Sequence, residues 1–178
     1  MSGTDLRLGG RVAVSLGDNI DTDVIYPGRY LNITDREQTP QHLFELAYPE
    51  LRASLQPGDV IVAGKNFGCG SSREQATAAI KYAGVAAVIA ASFARIFFRN
   101  SINLGLPVIV SPEAAAHLKP GANLLMDLET GWIYDMSDRD YYRSYRAAPL
   151  DPRAIELLEA GGLVPYLKRK YTPSEPRP

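Results

Sequence analysis

Three short apolar segments alternate with two stretches of helical periodicity, and this alternation constrains the fold more than any other feature of the sequence. The segments 59–63, 85–91 and 107–110 are rich in Val, Ile and Ala, which predicts buried strands. The intervening stretches 71–84 and 93–104 carry apolar residues at helical spacing. Strands joined through helices of this length lie parallel, with right-handed crossovers. The sequence therefore predicts an α/β fold with a parallel βαβ core.

Further strands are expected beside this core. Segment 11–16 is a short β-branched run that ends at a turn signal, so it predicts a strand. Segments 124–128 and 132–134 flank Glu129-Thr130-Gly131, which is typical of a hairpin. Antiparallel strands are therefore predicted next to the parallel ones.

Three shorter helices and one cap are also predicted. Thr39 and Pro40 favour the start of a helix that stops near Pro49. Segments 112–118 and 153–160 carry similar start signals. We expect the helix that follows the second predicted strand, 59–63, to be capped by Ser71 or Ser72.

The composition is that of one ordinary globular domain. The chain has 178 residues, of which 46% are hydrophobic and 22% charged. We expect residues 1–170 to form this single domain. Segment 171–178 contains three prolines and no apolar pattern, which predicts a disordered tail.

Charge and hydropathy exclude several classes of protein. The 19 Lys and Arg balance 20 Asp and Glu, so there is no general field to hold nucleic acid or an anionic membrane. The longest apolar run, 85–91, is far shorter than the roughly 20 residues that span a bilayer. Residues 1–10 have no apolar core of a secretory leader. We therefore expect a cytoplasmic protein.

Thiolate metal sites are excluded by the cysteine count. Cys69 is the single cysteine, and His42 and His117 are the two histidines. An iron–sulfur cluster or a structural zinc site needs several such ligands. We predict no metal site in this chain.

A glycine-rich loop, 64–70, connects a predicted strand to a predicted helix. Amides and the dipole at a helix N-terminus favour an anion, and glycines let it approach the backbone. Ser71 adds a hydroxyl, and Arg73 can hold a carboxylate through two parallel hydrogen bonds. The plainer interpretation is that Ser72 and Glu74 cap the helix and the glycines make a tight turn. The spacing matches neither a Walker A loop nor a dinucleotide fingerprint.

Other polar residues have weaker functional interpretations. Cys69 could act as a nucleophile at the helix N-terminus, with a packed thiol as the plainer alternative. The acidic loop with Asp18, Asp21 and Asp23 could bind a cation, but Asx-turns and helix caps explain it more simply. Arg95 and Arg99 lie one turn apart on a predicted helix, as on a solvated basic edge. Residues 141–146 form an aromatic, basic stretch to which we assign no chemistry.

Taken in order, four motifs within 11–110 resemble those of the small, swivelling-domain subunits of the aconitase superfamily, and most closely the 3-isopropylmalate dehydratase small-subunit family. They are Asp-Thr-Asp at 21–23, Tyr-Pro-Gly-Arg-Tyr-Leu at 26–31, Gly-Cys-Gly-Ser-Ser-Arg-Glu at 68–74 and Ser-Phe-Ala-Arg-Ile at 92–96. The resemblance implies a swivelling β/β/α domain. It also implies a separate large subunit, in a heterodimer or heterotetramer, that carries an iron–sulfur cluster. The active site would form only between the two chains.

Site residues are implied by the same resemblance. The serine that matches Ser71 takes the proton from carbon, while the cluster binds and removes the hydroxyl group. The arginine that matches Arg73 binds a substrate carboxylate, and the acid that matches Asp23 belongs to the same site. Gly70 and Ser72 are expected to contribute to binding of the small dicarboxylate substrate.

Substrate choice in this family depends on the residues after Tyr-Leu. Homoaconitase-like members carry an arginine there, whereas this chain has Asn32 followed by Ile33. A third carboxylate would be poorly paired, and Ile33 can contact an alkyl group. This favours isopropylmalate in leucine biosynthesis over homocitrate. Gln75 replaces a histidine common in the family, which leaves other alkylmalates open; a non-catalytic anion-binding module is the alternative of another class.

Overall fold

A seven-stranded mixed sheet forms the framework of the described part of the chain. The computed structural model describes residues 6–138 and 142–171. The strands are β1 (Arg7–Ser15), β2 (Val60–Ala63), β3 (Ala87–Ala90), β4 (Val108–Val110), β5 (Asn123–Asp127), β6 (Trp132–Asp135) and β7 (Arg143–Arg146). Their spatial order across the sheet is β4-β3-β2-β1-β5-β6-β7, parallel from β1 to β4 and antiparallel from β1 through β5 to β7.

Helices pack around this sheet. In the described residues they are α1 (Thr22–Ile25), α2 (Pro49–Ser54), α3 (Glu74–Tyr82), α4 (Arg95–Leu104), α5 (Pro112–His117), α6 (Pro152–Ala160) and α7 (Leu163–Tyr171), with 3₁₀ turns at Gly28–Tyr30 and Thr39–His42. None of these described helices is both long and apolar enough to cross a bilayer.

The core lies where the parallel strands meet α3 and α4. Every residue of β2 and β3 is buried, as expected of parallel strands that are covered on both faces. Helix α3 connects β2 to β3, and α4 connects β3 to β4. The predicted α/β fold and its parallel βαβ core are therefore confirmed. Loops at the carboxyl ends of β2 and β3 come to one edge of the sheet.

The antiparallel half is larger than the sequence indicates. β5 and β6 form the predicted hairpin, with Gly131 at φ +74° in the turn. β7 then pairs with β6, although Arg-Ser-Tyr-Arg at 143–146 has a single apolar residue. That residue, Tyr145, is buried, so a single apolar side chain packs this edge strand against the core although the strand has no alternating apolar pattern. Helix α7 was also not predicted, because its residues are all at least partly exposed.

Two local predictions are wrong. The helix expected from Thr39 to near Pro49 is a short 3₁₀ turn, because Phe44 is fully buried with φ +56°, a left-handed conformation that cannot continue a right-handed helix. Pro49 then begins α2 rather than ending a helix, as first-turn prolines do. Helix α3 begins at Glu74 with Arg73 as N-cap, so neither Ser71 nor Ser72 caps it. The predicted tail 171–178 lies outside the described residues, except for Tyr171, which ends α7.

Candidate active site

The glycine-rich loop is held against the acidic loop that follows β1. Gly68 N donates to the Ile20 carbonyl at 2.8 Å, and Thr22 N donates to the Cys69 carbonyl at 2.8 Å. The Thr22 hydroxyl donates to the Ser71 carbonyl at 2.9 Å. Hydrogen bonds to the backbone of the loop therefore fix the position of Ser71, and none of them uses the Ser71 side chain.

Two glycines allow this close approach. Gly68 has φ +76°, and a Cβ there would lie 2.2 Å from Cγ of Phe97. Gly70 has φ +86°, and a Cβ there would lie 2.1 Å from Oδ2 of Asp21. Both positions favour glycine by conformation and by space. The loop thus has one available path between α4 and the acidic loop.

Arg73 and Asp23 form an ion pair beside the loop. Nη1 of Arg73 donates a short hydrogen bond to Oδ1 of Asp23, and Gly28 N donates to the same oxygen at 3.1 Å. The Arg73 side chain is only 15% exposed, whereas that of Asp23 is 57% exposed. The hydrogen bond from Arg73 is the main cause that lowers the pKa of Asp23, with a smaller contribution from Gly28 N. Asp23 is therefore ionised and orients the guanidinium.

A cavity of about 260 Å³ lies between the N-termini of α3 and α4. Their N-cap residues are Arg73 and Ala94, and neither side chain has an oxygen that accepts from the first-turn amides. The positive ends of two helices therefore face one space, which favours an anion. The lining residues are Thr22, Gly68, Gly70, Ser71, Ser72, Arg73, Ala94, Arg95, Ile96, Phe97 and Asn100.

Most of the predicted site residues come together at this cavity. Gly70, Ser71, Ser72 and Arg73 line it, and Asp23 contacts it through Arg73. Sequence reasoning missed three polar lining residues, Thr22, Arg95 and Asn100. A usable signal existed, because 92–96 follows β3 just as the glycine-rich loop follows the adjacent strand β2.

Asn32 and Ile33 do not line this cavity. Asn32 is exposed, and Ile33 lines a second cavity of about 220 Å³ on the side of α3. Gln75 also lines that second cavity, and its Nε2 donates to the Leu31 carbonyl at 3.1 Å. Gln75 therefore ties the first turn of α3 to the segment that carries Asn32 and Ile33, a link the sequence did not indicate.

The environment of Cys69 disfavours a thiolate. Burial, and then the negative charge of Asp21, raise the pKa of the thiol. The histidines have other partners: His42 Nδ1 lies 2.7 Å from Glu45, and His117 Nδ1 lies 2.8 Å from the Glu113 carbonyl. The interpretation of Cys69 as a packed thiol is thus favoured over a nucleophile.

The acidic loop uses its carboxylates as turn and cap acceptors. Asp18 Oδ1 accepts from Lys65 N at 2.7 Å, and Asp21 Oδ1 accepts from Asp23 N at 2.7 Å at the start of α1. Across residues 6–138 and 142–171, no group of three or more His, Cys, Asp or Glu side chains could hold a metal ion. Cys69 is the single thiol of the chain.

Comparison with known proteins identifies the family. The family model described as the aconitase C-terminal domain matches residues 15–113. The chain is 52% identical over 160 residues to a 3-isopropylmalate dehydratase small subunit of Moorella thermoacetica, covering 90% of this chain and 95% of that one. It is 49% identical over 153 residues to a methanogen homoaconitase small subunit of Methanothermobacter thermautotrophicus, covering 85% and 86%.

A solved structure shows the same fold. The crystal structure of 3-isopropylmalate dehydratase from Methanocaldococcus jannaschii superposes with a TM-score of 0.83 at 42% identity, over 93% of this chain and 95% of that chain. Together with the sequence relatives, this agreement covers nearly the whole chain. The fold expected from the four sequence motifs is confirmed, and the chain belongs to the family of 3-isopropylmalate dehydratase small subunits, with the fold of the aconitase C-terminal domain.

Proposed function

We propose that this chain is the small subunit of a hydro-lyase that interconverts 2-isopropylmalate and 3-isopropylmalate in leucine biosynthesis. One observation carries the proposal: Ser71 and Arg73 line a single cavity, and this cavity lies at the positive N-terminal ends of α3 and α4. A hydroxyl and a guanidinium so placed suit a dicarboxylate that must lose a proton next to one of its carboxylates.

Arg73 binds a substrate carboxylate in this mechanism. Asp23 accepts from one end of the guanidinium, and further N–H donors of Arg73 remain for a ligand. Because the side chain is largely buried and paired, little conformational freedom is lost when substrate binds. Asp23 is a positioning residue, and it acts on the substrate through Arg73.

Ser71 takes the proton from the carbon next to the bound carboxylate. A serine hydroxyl is a weak base unless its alkoxide is stabilised, and two helix N-termini and Arg73 supply that stabilisation. In the described chain the Ser71 hydroxyl has no hydrogen-bond partner, so it is available to the substrate. As the C–H bond breaks, the proton passes to the Ser71 alkoxide, which becomes a neutral hydroxyl. The C–O bond of the neighbouring carbon breaks with its electron pair on oxygen, and the released hydroxide takes up a proton to become water, which leaves an alkene diacid. The iron–sulfur cluster proposed for the large subunit would supply the Lewis acid for this loss. Addition of water with the opposite regiochemistry gives the isomer.

A large subunit completes the site. This chain offers one thiol, so we propose that the partner carries the iron–sulfur cluster. Gly70, Ser71 and Ser72 are exposed, as residues at a site shared with a second chain would be.

The substrate assignment rests on the segment after Tyr30. Asn32 brings no cation for a third carboxylate, and Ile33 offers an alkyl surface in its own cavity. We propose isopropylmalate rather than homocitrate on this basis, with Asn32 and Ile33 acting where the partner closes over the segment.

The experiment is an anaerobic assay of the complex with the large subunit from the same organism. Alkene formation from 3-isopropylmalate, followed by ultraviolet absorbance, is expected for the wild type. Ser71→Ala should lower kcat by at least about a hundredfold, the range of general-base contributions, with assembly intact by size-exclusion chromatography.

Ser54→Ala is the matched control. Ser54 lies in α2 and donates to the Leu51 carbonyl, away from the cavity, so its complex should turn over normally. Normal turnover by the Ser71→Ala complex would exclude Ser71 as the base. Alkene formation from homocitrate but not from isopropylmalate would reassign the substrate.

A further inference from the structure

We infer that Arg95 is a second carboxylate-binding residue, which holds the end of a dicarboxylate that Arg73 does not reach. The inference rests on the proposed function for the identity of the substrate. Arg95 is the first residue of α4, and Arg73 directly precedes α3. Both line the same cavity of about 260 Å³, together with Ser71.

Charge balance distinguishes the two arginines. Arg73 is neutralised by Asp23, and this pairing lowers the pKa of Asp23. The Arg95 guanidinium has no hydrogen-bond or ion-pair partner among the residues that the structure describes. The described lining includes two arginines and no carboxylate side chain. A dianion that enters the cavity would therefore meet two guanidinium groups: that of Arg73, whose charge is balanced by Asp23, and that of Arg95, whose charge is not balanced.

The position of Arg95 is fixed by the core rather than by the surface. Phe97, two residues further along α4, is 2% exposed and packs edge-on against Phe67, with ring centroids 5.2 Å apart. It also contacts the Gly68 position closely enough to exclude a side chain there. The first turn of α4 is thus held against the glycine-rich loop, which sets the backbone of Arg95 relative to Ser71.

Other lining residues suit an anion beside Arg95. Asn100 adds an amide donor from the next turn of α4, and Ala94, Ile96 and Phe97 supply apolar walls. An arginine next to apolar walls binds a carboxylate more strongly than one in open water, because fewer waters compete.

Arg99 provides the matched comparison. It lies one turn after Arg95 on α4 and is also exposed, but it does not line the cavity. The sequence treats the two residues as one basic edge, whereas the structure separates them. Removing either charge changes the net charge equally, so any difference between the two variants reports on the cavity.

The test compares Arg95→Gln with Arg99→Gln in the complex with the large subunit. Loss of a charge-assisted contact should raise the KM for 3-isopropylmalate by roughly 10- to 100-fold in Arg95→Gln. The value of kcat should change less than KM, because the charge that develops on proton removal lies on the carboxylate next to the carbanion, which Arg73 holds, and not on the carboxylate held by Arg95. Arg99→Gln should behave as wild type.

Calorimetric titration of the same complexes with malate gives a readout that does not need turnover. The dissociation constant for this simple dicarboxylate should rise in Arg95→Gln and not in Arg99→Gln. If the wild type fails to turn over isopropylmalate, the proposed function fails, and the malate titration still decides the role of Arg95.

Two results would overturn the inference. Equal KM values and equal malate affinities in the two variants would show that Arg95 does not bind a carboxylate. A loss of assembly in Arg95→Gln, with wild-type KM once the large subunit is saturating, would show that Arg95 contacts the partner instead.

Discussion

The glycine-rich loop 64–70, together with residues 71–73, and the segment 26–45 border the same helix, α3, but they are held in different ways. The loop is held by its backbone, and at Gly68 and Gly70 even a Cβ would collide with a neighbour. Segment 26–45 has backbone hydrogen bonds as well, but its side chains also contact one another, as at Tyr30, His42 and Glu45. The residues assigned to proton transfer lie in or next to the first region, and those assigned to substrate choice lie in the second.

Side-chain contacts organise the second region in detail. The Tyr26 hydroxyl donates to the Tyr30 carbonyl at 3.1 Å, and the Tyr30 hydroxyl donates to Glu45 at 3.1 Å. The rings of Tyr30 and His42 stack with centroids 3.6 Å apart. Such contacts can be exchanged for others without a change of backbone path. The difference suggests that substrate choice can vary in this fold while the geometry around Ser71 stays the same.

Gly68→Ala should have the largest effect, because it breaks the backbone-held region. The substitution places a methyl group against Phe97 and requires a left-handed conformation. Strain of roughly 1–2 kcal/mol and overpacking of roughly 1–3 kcal/mol together predict a loss of roughly 2–5 kcal/mol in the free energy of unfolding. Urea denaturation measures it.

Gly17→Ala is the control for this prediction. A Cβ at Gly17 would meet open space, and Gly17 is not among the glycines with positive φ. We expect a change within about 0.5 kcal/mol, as for an ordinary surface substitution. Equal unfolding free energies for the two variants would contradict the view that the loop has a single available path.

The same contrast explains what the sequence could predict. The loop 64–70 and residues 71–73 are recognisable in the sequence as a candidate anion site, beside the plainer interpretation as a turn and helix cap, because a strand, a glycine-rich turn and a helix N-terminus are local features. The cavity contributions of Arg95 and Asn100 depend on two crossovers that bring separate loops to one edge, so periodicity alone could not reveal them. Phe44 shows a further limit of prediction from sequence. The local pattern favours a helix there, but Phe44 adopts a left-handed conformation and its side chain is buried in the core.

A middle-sized effect is expected at Gln75, which links segment 26–45 to the first turn of α3. Gln75→Leu removes the amide that donates to the Leu31 carbonyl, and a hydrogen bond of this kind contributes roughly 0.5–1.5 kcal/mol. Segment 29–33 should then be held less firmly against α3. We expect the ratio of kcat/KM for 3-isopropylmalate to that for a methylmalate to fall severalfold, with kcat for isopropylmalate largely kept.

Gln41→Leu serves as the matched control for Gln75→Leu. Gln41 is exposed, and its Nε2 donates to the Glu37 carbonyl at 3.3 Å, so the same change removes a similar bond elsewhere in the same segment. The ratio should stay at its wild-type value. If both variants shift the ratio alike, Gln75 has no particular role in holding the specificity segment.

The smallest effect concerns the titration of Asp23, whose carboxylate accepts hydrogen bonds from the Arg73 side chain and from the backbone amide of Gly28. The folded pKa lies below the ordinary value of 3.8, first because of Arg73 and then because of Gly28 N. The stabilising contribution of the pair is therefore complete above pH 3.8 and is lost as the pH falls through the lower, folded value. Carbon-detected NMR of the Asp23 carboxyl measures the midpoint. Arg73→Met should move it upward toward 3.8, while Arg99→Met should leave it in place.

The size of that upward movement measures what Arg73 contributes. Gly28 N remains after Arg73→Met and still lowers the pKa of Asp23, but desolvation raises that pKa by more, so the midpoint should reach the ordinary value rather than stop below it. A midpoint that does not move would mean that Gly28 N, not Arg73, sets the charge of Asp23. Asp23 would then belong to the backbone-held region on its own account, and its proposed role in orienting Arg73 would lose its support.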